Sequence, residues 1–320
     1  MNIYDRAISN GQTIVISSGE LASNPVINSG GSLSVSSGGT LSGGTALTGG
    51  AIGLAAGGLI AGQPIIYGAL SGGTVTGAFS VVTGRAGADL RNITAVSQGG
   101  IYVSSGATLT GATAMSGGSI YLFSGGLMSG GTVFAGGTLM ANSASLISGQ
   151  PDIYGGMKGG TVSGPFAVVT GQAGADIRNV TTISQGGIYL NSGARLSNAV
   201  AGAGGTIHVF SGGSSFNTVR QADGYIGIRS GGTETVTSGI GSGATALGMG
   251  RGGTPSQIGA ILIGSGGTGI DETADGGYIA VQGVGAASIN AIIKNRGWQD
   301  VGFNNRTNAA GGGVLLQAQR

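Results

Sequence analysis

Cysteine is absent from the 320 residues. That excludes a disulfide scaffold, a zinc–thiolate site and an iron–sulfur cluster. Histidine occurs once, as His208, which excludes a His-based metal site unless carboxylates or partner chains supply the other ligands. Charged residues make up 8%, against about 25% in ordinary globular proteins, which leaves few groups for acid–base chemistry. The 13 basic and 11 acidic side chains leave a net charge of +2. They form no clustered basic face, and no nucleic-acid partner is expected. Proline occurs five times and glycine does not recur at every third residue, which excludes collagen. No run of about 18 apolar residues exists, so no membrane-spanning helix is expected. The opening Met1-Asn2-Ile3-Tyr4-Asp5-Arg6 has no basic segment followed by an apolar one, so the expectation is a chain without a cleavable leader.

What fills the chain instead is glycine, 73 residues of it, between short apolar triplets. Hydrophobic residues reach 40%, too many for a disordered chain. The triplets recur with a 19-residue step: Ile14-Val15-Ile16, Leu33-Ser34-Val35 and Ile52-Gly53-Leu54 form one trio. Ile101-Tyr102-Val103, Ile120-Tyr121-Leu122 and Leu139-Met140-Ala141 form a second, and Ile188-Tyr189-Leu190, Ile207-His208-Val209 and Ile226-Gly227-Ile228 a third. Successive trios follow an 87-residue super-repeat, as from Ile14 to Ile101 to Ile188, made of 19 + 19 + 49. The stretch from Gln63-Pro64 to Gly126 is duplicated from Gln150-Pro151 to Gly213, including Ala86-Gly87-Ala88-Asp89 and Ala173-Gly174-Ala175-Asp176. Since 49 is 19 + 19 + 11, the simplest expectation is two coils plus an 11-residue excursion near each Gln-Pro.

A repeat this short, with alternating apolar positions and glycine corners, predicts a β-solenoid. Alternation puts Ile101 and Val103 inward and Tyr102 outward. Glycine supplies the positive φ of the corners. The expected fold is all-β, a right-handed parallel β-helix with a 19-residue coil over residues 1–285. Coils stacked at about 4.8 Å would give a rod of roughly 70 Å. Ser, Thr and Asn beside the corners are expected to form hydroxyl and amide ladders. Residues 286–320 break the repeat pattern and are expected to form a C-terminal cap or subunit contact. Ala286 to Asn295 is the only helix candidate.

The runs Asn28-Ser29-Gly30-Gly31, Ser36-Ser37-Gly38-Gly39 and Arg229-Ser230-Gly231-Gly232-Thr233 resemble the AIDA-type strand–loop–strand repeat. That repeat occurs in passenger regions of self-associating autotransporter adhesins of Gram-negative bacteria, and the resemblance covers most of residues 8–285. It implies an exported β-helix at the bacterial cell surface that mediates adhesion, autoaggregation and biofilm growth, with heptose on repeat Ser or Thr in some members. The chain departs from the family in showing neither a leader nor a translocator barrel with aromatic girdles.

Four residues mark a surface aromatic ladder. Tyr102 and Tyr121 are separated by the 19-residue step, as are Tyr189 and His208, so each pair should share one outer face. Such a strip could take a sugar or protein partner, but cross-strand aromatic pairs are ordinary sheet stabilisers, and a stabilising stack is the favoured reading. No Ser/Asp constellation is tied to His208, so no catalytic residue is assigned. Asp89 and Arg91 recur as Asp176 and Arg178 and read as ion pairs within each copy, ahead of a calcium site. Asp271, Glu272 and Asp275 form one weak acidic cluster. Trp298, Phe303, Leu315 and Leu316 are apolar residues after the last repeat and mark an assembly contact.

These readings converge on a non-enzymatic, extracellular structural or adhesive solenoid without cofactor or metal. Its expected partners are itself, by head-to-tail or lateral self-association, or cell-surface glycans. A carbohydrate-active β-helix, such as a polysaccharide lyase or depolymerase, would need paired carboxylates on neighbouring coils, and no pair occurs at 19-residue spacing. A phage tail-fibre segment is the remaining alternative.

Overall fold

The computed structural model describes residues 2–221, 223–229 and 232–240. Beyond them it describes the strands Ala260–Ile263, Thr268–Ile270, Thr273–Asp275, Tyr278–Gln282, Ala287–Lys294, Trp298–Gly302 and Val314–Leu316. The chain divides into two units, Met1–Gly160 and Thr161–Arg320. Each is a stack of short parallel strands in coils, and all regular structure among the described residues is β.

In the first unit the strands form three columns, and one long strand, Thr138–Ser148, serves the second and third together. The first column begins Ile3–Tyr4, Leu21–Ser23, Thr40–Ser42. The second begins Ala7–Ile8, Val26–Ile27, Thr45–Ala46. The third begins Thr13–Ile16, Ser32–Val35, Ala51–Leu54. Ile3 lies beside Ala22, Ile8 beside Ile27 and Ile14 beside Leu33, so one coil is one 19-residue repeat. A shorter coil occurs where Ile60 meets Val75.

The 49-residue step contains no excursion. Ile52 pairs with Leu70, Leu70 with Leu90 and Leu90 with Leu109, all in the third column. Ile101 instead pairs with Val82, whose strand continues through Ile66, Ala46 and Ile27 in the second column. The trio of Ile14 and the trio of Ile101 therefore occupy different faces. The 11-residue remainder is the chain distance from the third column of one coil to the second column of the next, as from Ile16 to Ile27. The duplicated segment moves again at its second copy. Ile66 belongs to the second column, whereas Ile153, its counterpart in that copy, pairs with Val133 in the first.

The second unit repeats the plan. One column runs through Val168–Gly171, Gly187–Leu190, Thr206–Val209 and Tyr225–Ile228. It continues through Ala260–Ile263, Tyr278–Gln282 and Trp298–Gly302. The helix candidate at 286–295 is a strand, Ala287–Lys294, paired with Thr268–Ile270 and Thr273–Asp275. Its inward Ser288 and Ala291 are buried, and the pairing surface of the column beneath it outweighs local helix preference. Trp298, Leu315 and Leu316 lie in strands that continue the stacking, so the segment 286–320 does not leave the repeat architecture at once. Phe303 lies outside the described residues.

Alternation puts one residue in two into the interior. Ile101, Val103, Ile120, Leu122, Ile188, Leu190, Ile207 and Val209 are all buried. The corners stack as regularly as the strands. Gly11 donates to the carbonyl of Gly30, and Gly30 to that of Gly49, at 3.0 and 2.9 Å. One corner shows why glycine is required. Gly117 has φ of +73°, and a Cβ on Gly118 would lie 2.0 Å from the carbonyl oxygen of Ala95 in the coil below. Side-chain rungs also form at 19-residue separation: Asn217 Nδ2 donates to Asn198 Oδ1 at 2.7 Å, Thr138 Oγ1 to Ser119 Oγ at 2.9 Å and Asn191 Nδ2 to Gln172 Oε1 at 3.0 Å.

Candidate interaction surface

Strand register brings each of the expected aromatic pairs together. Tyr102 pairs with Tyr121 in the second column of the first unit, and Tyr189 with His208 in the second unit. The rings meet edge to face, with centroids 4.9 Å apart and 75° between planes for the tyrosines, and 5.0 Å and 90° for Tyr189 and His208. All four occupy outward positions, yet each is half-buried. The cover comes from neighbours that the 19-residue spacing did not single out. Phe123 lies against Tyr102, and Phe210 against both Tyr189 and His208.

Tyr225 closes the second cluster, 5.2 Å from His208. It does so because Gly227 occupies the rung beside His208. A Cβ there would lie 2.7 Å from the Tyr225 ring and 3.1 Å from His208 Nδ1. Burial, followed by the positive charge of Arg229, pushes the His208 pKa down to about 4. The imidazole is therefore neutral at physiological pH, and its Nδ1 is buried with no hydrogen-bond partner among the described residues. Burial also raises the Tyr225 phenol. Edge-to-face rings stabilise one another, but they present no flat platform.

A second outward row in the first unit escaped the sequence reading. Ala95, Ala114, Val133 and Ile153 pair in order in the first column. The residues that follow them are Val96, Met115, Phe134 and Tyr154. Phe134 and Tyr154 stack with planes 12° apart and centroids at 5.9 Å. Met115 and Phe134 are each 43% exposed and Tyr154 37%.

The two recurring Asp/Arg pairs are engaged locally. Arg91 Nε donates to both Asp89 carboxylate oxygens at 2.9 Å, and Arg178 Nε to Asp176 Oδ1 at 2.8 Å. Each arginine also meets its aspartate through Nη2. The hydrogen bonds from arginine hold both carboxyls below the usual range, opposed by slight burial. The rung neighbours of Asp89 are Ala69 and Thr108, and that of Asp176 is Arg195, so neither carboxylate faces a second one there. Asp271 and Glu272 lie outside the described residues, and Asp275 ends the strand Thr273–Asp275. Among the described residues, no three His, Cys, Asp or Glu gather as a metal site and no helix is long and apolar enough to cross a membrane.

Arg220 is the unexpected interior residue. It is 1% exposed at an inward position between Ala201 and Gly239, two short neighbours that leave room for it. Burial lowers its pKa to about 10, and Nε and Nη2 have no partner among the described residues.

No family model matches the sequence, and no curated protein matches it. Among solved structures, the chain is similar to a TibC-catalysed, hyper-glycosylated fragment of TibA covering residues 55–350. The two are 22% identical, the match covers 99% of this chain and 97% of that one, and the TM-score is 0.40. At that identity and score the likeness assigns neither family nor function to this chain.

Proposed function

We infer that the protein is a non-enzymatic structural or adhesive solenoid, exported to the bacterial cell surface, which works through its outer faces. The observation that carries this reading is the character of those faces. Residues 92–151 contain no Asp, Glu, Lys, Arg or His, yet their strands present Tyr102, Tyr121, Met115 and Phe134 at outward positions. Uncharged apolar side chains repeated along a stack supply contact area and no acid–base group. The two aspartates that recur between the duplicated segments, Asp89 and Asp176, are each paired with an arginine two positions away on the same strand. His208 is locked among rings. Adhesion by the chain to itself or to cell-surface glycans fits these faces.

The test displays the chain on bacterial cells that do not otherwise aggregate, and incubates the purified chain with a panel of polysaccharides. Settling of the cells or retention on glycan-coated surfaces, with the polysaccharides intact, is the expected result. Polysaccharide cleavage that Asp89→Asn or Asp176→Asn abolishes would overturn the reading in favour of a carbohydrate-active enzyme.

A further inference from the structure

We propose that Arg220 binds a small monovalent anion, chloride in size and charge, in the interior of the second unit. The proposal concerns the core and is independent of the adhesive reading of the outer faces. Arg220 ends the strand Ser214–Arg220 and is 1% exposed. Among the described residues it is the one buried charged side chain, and no buried aspartate or glutamate accompanies it. A charge taken out of water needs a counter-charge and hydrogen-bond acceptors. Burial lowers the pKa only to about 10, so the guanidinium keeps its charge at neutral pH.

The two atoms without a partner among the described residues are Nε and Nη2. They form one edge of the guanidinium fork, with their N–H bonds side by side. Arg91 uses the same two atoms to hold Asp89, and Arg178 to hold Asp176. The chemistry of that edge is therefore anion binding, and the surroundings set which anion. The rung neighbours of Arg220 are Ala201 and Gly239. Chloride is close to a methyl group in size, and Gly239 has no Cβ. Thr182 lies one rung before Ala201 in the same row, and Ser215 and Thr218 precede Arg220 on its own strand. All three are buried and bring hydroxyl groups into this part of the core. One negative charge matches one guanidinium, whereas sulfate or phosphate would bury a surplus charge. An organic carboxylate would carry its hydrocarbon chain into the same closed space.

The experiment follows thermal unfolding of the full chain by circular dichroism, in sodium chloride against sodium gluconate at one ionic strength. Gluconate is too large for the interior, so general salt effects are matched. An anion that binds only the folded chain stabilises it by mass action, so each tenfold rise in chloride above its dissociation constant should raise the wild-type Tm by about 3–5 °C. Arg220→Met should melt alike in the two salts. In gluconate it should be the more stable protein, and chloride should narrow the difference. Wild-type crystals grown with bromide in place of chloride should give an anomalous-scattering peak against Nε and Nη2, a readout that needs no variant. A wild type that melts alike in both salts, an Arg220→Met chain that keeps the chloride response, or bromide crystals without that peak overturns the proposal. Glu234 holds the rung beside Ser215. A wild type indifferent to chloride whose Glu234→Gln variant becomes chloride-dependent overturns the proposal as well, and assigns the guanidinium to that carboxylate.

Discussion

His208 illustrates how a residue's type misleads when its surroundings are unknown. As the only imidazole in the chain it invites a chemical role. Its position among Tyr189, Phe210 and Tyr225 makes it an aromatic packing element with a depressed pKa. Because the folded pKa of about 4 lies below the unfolded value near 6.5, the unfolded chain binds the extra proton between those limits. Stability from the neutral ring is therefore complete above about pH 6.5 and falls as the pH drops toward 4, by on the order of 1–2 kcal/mol once partial solvent screening is allowed for. Melting of wild type against His208→Phe across that window should show the slope in the first and its loss in the second. A proton NMR titration of His208 near 6.5 would contradict it. Arg220 was illegible in the sequence for the opposite reason. An arginine at an inward position breaks the binary pattern from which inward positions are read. A buried guanidinium whose Nε and Nη2 find no partner among the described residues is costly, and apolar replacement of similar length removes the desolvation term. Arg220→Met should raise stability by about 1–3 kcal/mol in thermal unfolding. Destabilisation would mean that the guanidinium has a partner whose loss outweighs the desolvation relieved.

At the scale of the element, stacking makes glycine positions unequal. Gly118 has its neighbour's carbonyl 2.0 Å from where a Cβ would sit, and a backbone oxygen cannot swing aside as a side chain can. Gly53 lies in the strand Ala51–Leu54 with nothing within 4 Å of that point. Gly118→Val should therefore cost more than about 2 kcal/mol by overpacking the corner. Gly53→Thr should change stability by only about 0.5 kcal/mol or less, as at other open surface sites. Equal melting temperatures for the two variants would show that corners do not hold the coils together. The strands and inward positions were legible because a 19-residue step with alternate burial admits one reading around Ile101 and Val103. Which face each strand occupies was not. Gly-Gly followed by an apolar triplet reads the same on any of three columns, and only pairing distinguishes Ile52, which continues to Leu70, from Ile101, which continues back to Val82. The aromatic pairs Tyr102–Tyr121 and Tyr189–His208 were legible for the same periodic reason. Phe134 and Tyr154 miss the 19-residue step by one position, in segments that share no repeated text, and their stacking emerges only from register.

For the molecule as a whole, the question is what closes the stack toward the C-terminus. Tyr278–Gln282 is hydrogen-bonded along its length to Trp298–Gly302, from Tyr278 beside Trp298 to Gln282 beside Gly302. Thr268–Ile270 and Thr273–Asp275 are covered by Ala287–Lys294, and that strand in turn by Val314–Leu316. A chain ending at Gly285 would leave Thr268–Ile270, Thr273–Asp275 and Tyr278–Gln282 without these partners on one side. Each uncovered parallel edge offers unpaired amides and carbonyls to any other chain, and solenoids need terminal cover to remain dispersed. We therefore expect the truncation to aggregate in light scattering at concentrations where the full chain remains a monomer or dimer. The contrary outcome is equally specific. A full chain that forms long fibres in electron micrographs, with a truncation that does not, would make residues 286–320 a head-to-tail connector, because a contact between unlike surfaces that fails to close propagates as a filament. Trp298, Leu315 and Leu316 lie in strands paired along one edge with their own chain; that pairing is the cover a cap provides, whereas a connector would act through the opposite edge, and the truncation separates the two.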